Sequence, residues 1–448
     1  MASAAEQLAA SINFKSFAKA KDLKRRILFT VIALIVYRLG TYIPCPGIDA
    51  SVLEMMFRQH QGGILGIFDT FAGGALSRMS VFALNIMPYI SASIIIQLMT
   101  AAIPSWEAMK KEGESGRKTL NQYTRYLTVI LAGLQAYAIA VGLEGMRVGN
   151  AGAVHDVGIF FRVTTVVTLV GGTVFLMWLG EQITERGIGN GTSMLIFAGI
   201  VAGLPTGVVH LLSLGQAGAI QEWVILLIFV LAIAVVMLIV FFERAQRKVL
   251  VHHPRRQVGN KVYGGESTHL PLKLNTAGVI PPIFASSLLV LPITILGFRG
   301  GANAPEWLTQ LTAMLGHGQP LYLAIYATLI VFFAYFYTAI VFNPMETAEN
   351  LRKSGAFIPG IRPGKNTATY FDAILTRITA VGAFYLVGIC LLPEFLIAQF
   401  SLPFYFGGTS LLIVVSVTMD TVAQIHSHLL ANQYEGLLKK SKLRGRKA

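Results

Sequence analysis

The chain has 448 residues, 54% of them hydrophobic and only 13% charged, with a mean hydropathy of +0.62. That balance excludes an ordinary water-soluble globule, whose surface needs far more polar cover. The formal charge of +14 would point a soluble protein toward nucleic acid; in a membrane chain most of it sets orientation, because Lys and Arg stay on the cytoplasmic side of the spans they flank.

Residues 1–26 form a polar, basic tail that ends in Lys24-Arg25-Arg26. The apolar run after it has no small-residue cleavage site before Ile43, so no cleaved signal peptide is expected. Ten apolar stretches follow, near 27–43, 79–101, 122–143, 159–180, 188–212, 223–242, 276–297, 321–342, 374–393 and 407–430. Each approaches the roughly 20 residues that cross about 30 Å of hydrocarbon. Most basic residues fall in the N-terminal tail, the even-numbered connections and a basic tail at 431–448, which predicts a cytoplasmic N- and C-terminus.

A break near 213–221 leaves five stretches on either side. A half with an odd number of spans inserts its duplicate upside down, so 27–212 and 213–430 are expected to be inverted repeats. The expected class is an all-α polytopic membrane protein.

Three connections are long. The outer one, 44–78, is rich in glycine (Gly62, Gly63, Gly66, Gly73, Gly74) yet carries Ile64, Leu65, Ile67, Phe68 and Phe71. Such a segment is too apolar for a solvated loop and is expected to re-enter the protein, which implies a cavity to hold it. The cytoplasmic connections 243–275 and 343–373 carry more basic residues than orientation requires. In the second, Pro359-Gly360-Ile361-Arg362-Pro363-Gly364 sets an arginine between two Pro-Gly pairs, a composition for a stiff turn with its side chain outward. Both loops read as docking surfaces.

Chemistry is sparse. His252-His253, His426 and His428 lack the partners and spacing of a metal site, and Asp420 is the only acid well inside an expected span. Gly360 to Asn366 has the wrong spacing for a nucleotide loop, and its proline removes an amide donor. No enzymatic activity, cofactor or metal is expected. Cys45 and Cys390 both fall near outer ends of spans, and no disulfide between them is expected. Met87-Pro88 in the second span and Pro281-Pro282 in the seventh are expected to kink their helices beside a cavity.

Arg38-Leu39-Gly40-Thr41-Tyr42-Ile43-Pro44, Gly73-Gly74-Ala75-Leu76-Ser77-Arg78, Ile86-Met87-Pro88-Tyr89-Ile90-Ser91-Ala92-Ser93 and Lys111 to Arg117 resemble signature segments of the bacterial SecY family. So do Gly180 to Gly191, Ser267 to Pro271, Asn343-Pro344 and Pro403 to Ser410, in order along nearly the whole chain. The resemblance implies the pore subunit of the Sec translocon, a gated channel with an hourglass pore between two five-helix halves. It would pass unfolded secretory proteins across the bacterial inner membrane and release membrane proteins sideways into lipid. An ion-coupled transporter of a small solute is the alternative, and the scarcity of midplane charge argues against it.

The same resemblance implies a pore ring of Ile86, Ile90, Thr192, Ile196, Ile283 and Ile413, where Thr192 departs from the family's aliphatic type. It implies a plug that includes Gly62, Ile64, Leu65, Phe68, Phe71 and Gly73, and a lateral gate lined by Ser91, Gln97, Asn275 and Leu291. The implied contact surface for the SecA ATPase and for ribosomal RNA comprises Arg244, Arg247, Lys248, Arg255, Arg256, Arg352, Lys353, Arg362 and Lys365. Implied partners are SecE, SecG, SecA and the ribosome, with SecD/SecF and YidC as accessories, the lipid bilayer as surroundings, and secretory and membrane preproteins as substrates. Energy would come from SecA, the ribosome or the proton-motive force.

Overall fold

The structure, a computed structural model, describes residues 21–49, 52–53, 69, 72–145, 147–148, 151–218, 221–253, 256–258, 261–263, 267–299, 319–400 and 408–444. A helix lies on each of the ten apolar stretches. The first half contributes α1 (Lys21–Gly40), α2 (Met87–Ala102), the short α3 (Pro104–Lys111), α4 (Glu114–Gly145), α5 (Ile159–Arg186) and α6 (Gly191–Gln216). The second contributes α7 (Glu222–Arg244), α8 (Ile280–Arg299), α9 (Pro320–Val341), the short α10 (Pro344–Lys353), α11 (Lys365–Phe400) and α12 (Gly408–Arg444). Among the described residues seven helices are long and apolar enough to cross a membrane, or eight if α2 and α3 count as one bent span.

The expected proline kinks in the second and seventh spans are corrected here. Pro88 sits in the first turn of α2, and Pro281 and Pro282 directly follow the first residue of α8. Proline is favoured in a first turn because the amide it lacks would have no partner there, so these residues start their helices and do not bend them. The second span is correspondingly shorter than 79–101: residues 72–86 are turns, with Met79 and Asn85 at positive φ. Prolines beyond the first turn of a described helix are Pro205 in α6, Pro292 in α8 and Pro393 in α11. The sharp bend, 101°, lies between α2 and α3, where Ile103 is extended because Pro104 disfavours helical backbone in the residue before it.

The described strands form three two-stranded antiparallel sheets. The small outer pair is β1 (Arg147–Val148) with β2 (Ala151–Gly152). In the loop after α7, β3 (Gln246–His252) pairs with β6 (Ser267–Lys273), and β4 (Arg256–Val258) pairs with β5 (Lys261–Tyr263) beyond them. Along β3, Val249 and Val251 are buried between exposed neighbours, the period-two pattern of a half-covered ladder.

One large apolar core runs through both halves. Helix α8 packs against α2 and α4 as well as against its neighbour α9, and α12 packs against α6 and α1. Two seams therefore join the halves. Across the first, the Ser287 hydroxyl points at Met87 Sδ, 3.7 Å away. Across the second, the Gly189 amide donates to Gln424 Oε1 at 2.8 Å. Close helix approach needs small residues: a Cβ built on Gly191 would stand 1.8 Å from the Gly180 carbonyl oxygen.

Candidate pore and cytoplasmic docking surface

Five of the six expected ring residues are buried in the central apolar core. Ile86 and Ile90 stand one turn apart at the start of α2, joined by the Ile90 amide to the Ile86 carbonyl at 3.1 Å. Ile196 comes from α6, Ile283 from the first turn of α8 and Ile413 from the first turns of α12. All five are buried and belong to the central core. Two of the four helices lie on each side of the break near 213–221. Thr192 is half-buried in the first turn of α6, where its amide donates to the Asn190 side chain at 3.1 Å. Ile200, one turn beyond Ile196 and not among the expected ring residues, is buried in the apolar core.

Along α12 the face that carries Ile413 continues through Val417 to Asp420, Thr421 and Gln424. With Asn190 and Ser193 these line a cavity of about 340 Å³. The aliphatic contact thus borders a polar vestibule toward the C-terminal end of α12. Asp420, which the sequence marks only as an isolated acid, finds its place there.

Gate positions divide. Ser91 is buried in α2, and the Gln97 amide donates to the Ser93 hydroxyl at 3.2 Å while its Oε1 is buried without a hydrogen bond. Asn275 precedes α8; its side-chain amide reaches Glu243 Oε1 at 2.8 Å and the Gly278 carbonyl at 3.0 Å. It thereby ties the end of α7 to the start of α8. The backbone of Leu291 lies in α8, and its side chain is outside the described residues. Ser287 and Met87, which meet across the seam, were not anticipated; the Ser286-Ser287 pair inside an apolar run was the available signal.

Of the plug positions, Gly62, Ile64, Leu65, Phe68 and Phe71 lie outside the described residues. Gly73 is described: its carbonyl accepts from Arg38 Nη1 at 2.7 Å, and its Cα face lies against Gly199 of α6. Nearby, Asp69 Oδ1 accepts the amides of Leu76 and Ser77 at 2.9 and 2.8 Å. Burial outweighs those amides and holds the Asp69 carboxyl above its ordinary range.

The two basic loops are one body. His252, the last residue of β3, exchanges both backbone hydrogen bonds with Phe357, at 2.8 and 3.0 Å. Val249 and Leu272 of the hairpin share a small apolar core with Ile358, Phe371 and Ile374. Gly360 takes a φ of 80°, as a residue without Cβ can, and turns the chain so that Arg362 is exposed. Arg244, Arg247, Lys248, Arg352, Lys353 and Lys365 are exposed as well. Arg352 and Lys353 share Glu349, at 3.6 and 3.7 Å, a surface pairing that costs little to exchange for another anion. Arg256 has only its backbone described, and Arg255 lies outside the described residues.

A SecY family model matches residues 80–422. The chain belongs to the SecY family. It is 56% identical over 424 residues to the protein translocase subunit SecY of Escherichia coli K12, covering 95% of this chain and 96% of that one. To the corresponding Rickettsia conorii protein it is 55% identical over 423 residues, covering 94% and 97%. Its fold matches a solved protein-conducting channel with a TM-score of 0.66 at 18% identity, over 91% of this chain and 92% of that one. It also matches Sec61 in a canine ribosome-channel complex from the endoplasmic reticulum, with a TM-score of 0.62 at 18% identity over the same shares. The SecY fold accounts for the paired seams and the apolar centre as parts of one channel.

Proposed function

We propose that this chain, a channel-forming translocase subunit of the SecY family, seals its pore with Ile86, Ile90, Ile196, Ile283 and Ile413. The carrying observation is that these five side chains, drawn from four helices and both halves, are buried together in one apolar core. An aliphatic constriction excludes water and ions by dewetting, and it yields to a chain because no hydrogen bond has to break. Thr192 borders this seal on the vestibule side. The plug is proposed to span Gly62 to about Leu76 and to occupy the pore beyond the ring.

The lateral gate is proposed at the seam of α8 with α2 and α4, with Ser91, Gln97, Asn275 and Leu291 beside it. A hydrophobic segment leaving through this seam gains about 0.8 kcal/mol per methylene buried in lipid. The halves are proposed as 27–212 and 213–430 in inverted orientation. Supporting this, four helix pairings of the first half (α2 with α4, α4 with α5, α5 with α6, α1 with α6) recur in the second as α8 with α9, α9 with α11, α11 with α12 and α7 with α12.

Both termini are proposed to face the cytoplasm of a bacterial cell, with the joined loops as the surface for SecA and for ribosomal RNA. RNA would bind through exposed Arg and Lys in a salt-sensitive way, and a motor through the fixed Arg362 turn. SecE, SecG, SecD/SecF and YidC are proposed as membrane partners. The test is crosslinking: cysteines placed at Ile86, Ile283 and Ile413 should all capture an arrested secretory chain. Capture at none of them, with the chain demonstrably engaged, refutes the pore path.

A further inference from the structure

Two arginines stand on the outer side, where sorting of positive charge gives no reason for them. Arg38 ends α1 opposite Lys24-Arg25-Arg26, and Arg78 closes the outer connection. Both guanidiniums lie on the ring of Tyr42, with Cζ 4.9 and 4.3 Å from its centroid. Arg38 is committed, through Nη1 to the Gly73 carbonyl at 2.7 Å and through Nη2 to the Tyr42 hydroxyl at 3.0 Å. Arg78 Nη1 is buried and has no hydrogen-bond partner. Among the described residues neither arginine forms an ion pair, and the neighbouring carboxylate, Asp69, has its Oδ1 occupied by two amides.

Two guanidinium charges gathered on one exposed tyrosine without an ion pair favour an anion beside them. The surface below the pair shows which acceptor fits. Ile32, Ile35, Leu39 and Ile43 form an exposed apolar stripe at helical spacing along α1 and just past it, and Tyr42, 55% exposed, marks the water–lipid boundary where tyrosine gathers. Charge at the boundary above apolar surface is the shape of a phospholipid, with phosphate at the arginines and acyl chains along the stripe.

We propose that Arg38, Arg78 and Tyr42 form a site for an outer-leaflet phospholipid with an anionic headgroup. Arg78 and Arg38 supply its two positive charges. Because Arg38 also holds the Gly73 carbonyl, the lipid charge sits one side chain away from the segment that leads into the pore.

The test uses the full chain in its complete channel complex, delipidated and titrated with phosphatidylglycerol or phosphatidylcholine while bound lipids are counted by native mass spectrometry. Arg78→Gln should weaken the tightest phosphatidylglycerol site about tenfold, the equivalent of one charge-assisted hydrogen bond, and leave phosphatidylcholine unchanged; Arg78→Lys should recover part of the loss. Unchanged phosphatidylglycerol affinity in a folded Arg78→Gln variant overturns the site. Displacement of the lipid by millimolar inorganic phosphate also overturns it, in favour of a free-anion site. If the variant does not fold, a photoactivatable phosphatidylglycerol on the unsubstituted complex decides: labelling within residues 32–43 supports the site, and labelling confined to other segments overturns it.

Discussion

Replacing Ile413 with asparagine tests the seal most directly. Ile413 is 1% exposed, within the shared apolar core. Full burial of such a side chain contributes about 1.5–3 kcal/mol, and an amide placed there without a partner costs about 1–3 kcal/mol more. Ser287 and Thr421, hydroxyl groups at the two seams, already donate to other atoms. If half of a total near 4 kcal/mol falls on the closed state alone, the closed-to-open ratio drops about 30-fold. The open state, whose halves are apart, loses little, because there the asparagine meets water. In proteoliposomes the resting ion leak should rise by about that factor, and export should depend less on signal-sequence hydrophobicity. Ile196→Asn should behave alike. A folded variant with unchanged leak would refute the claim that these isoleucines carry the seal.

Arg362→Glu should impair ATPase-driven export more than insertion of the chain into the membrane, since the side chain is exposed on a turn held by Ile358 and Gly360; equal loss of both in parallel export and insertion assays would indicate a folding defect instead. Asn275→Ala takes from Glu243 Oε1 the amide that donates to it and should destabilise the complex by about 1–3 kcal/mol, read as a lowered thermal midpoint, with Asn275→Asp worse because it opposes two carboxylates. Gly191→Ala forces a Cβ against the Gly180 carbonyl and should reduce folded yield in detergent, whereas Gly203→Ala, with open space around it, should not. Phe357→Pro would remove the amide that bonds to His252 and should loosen the two basic loops together, seen as faster protease cleavage in both; cleavage in one alone would contradict their union.

Much of the fold was legible because hydrocarbon imposes a simple rule: a run of apolar residues long enough to span must be helical, since no water is present to satisfy its backbone. A helix lies on each of the ten stretches, although residues 79–86 of the second are turns. The ring residues were legible only through family likeness, because an isoleucine in an apolar helix has the same local signal whether it faces lipid, a neighbour or a pore. The prolines misled for a related reason. Pro88, Pro281 and Pro282 bend a helix if it has already begun and start one if it has not, and the flanking composition does not distinguish the cases. Ser287 escaped notice because its value depends on Met87, 200 positions away.

The sequence by itself determined where the ten long apolar helices lie, which ends carry the positive charge, and that no catalytic constellation accompanies them, since these follow from local composition and the dielectric of the bilayer. Tertiary structure alone decided that α8 packs on α2 and α4 and α12 on α6 and α1, that the loops near 252 and 357 share a strand contact, and that Arg38 and Arg78 close on one tyrosine. Such meetings depend on how separate helices pack, and packing energy belongs to pairs of surfaces rather than to any stretch of chain.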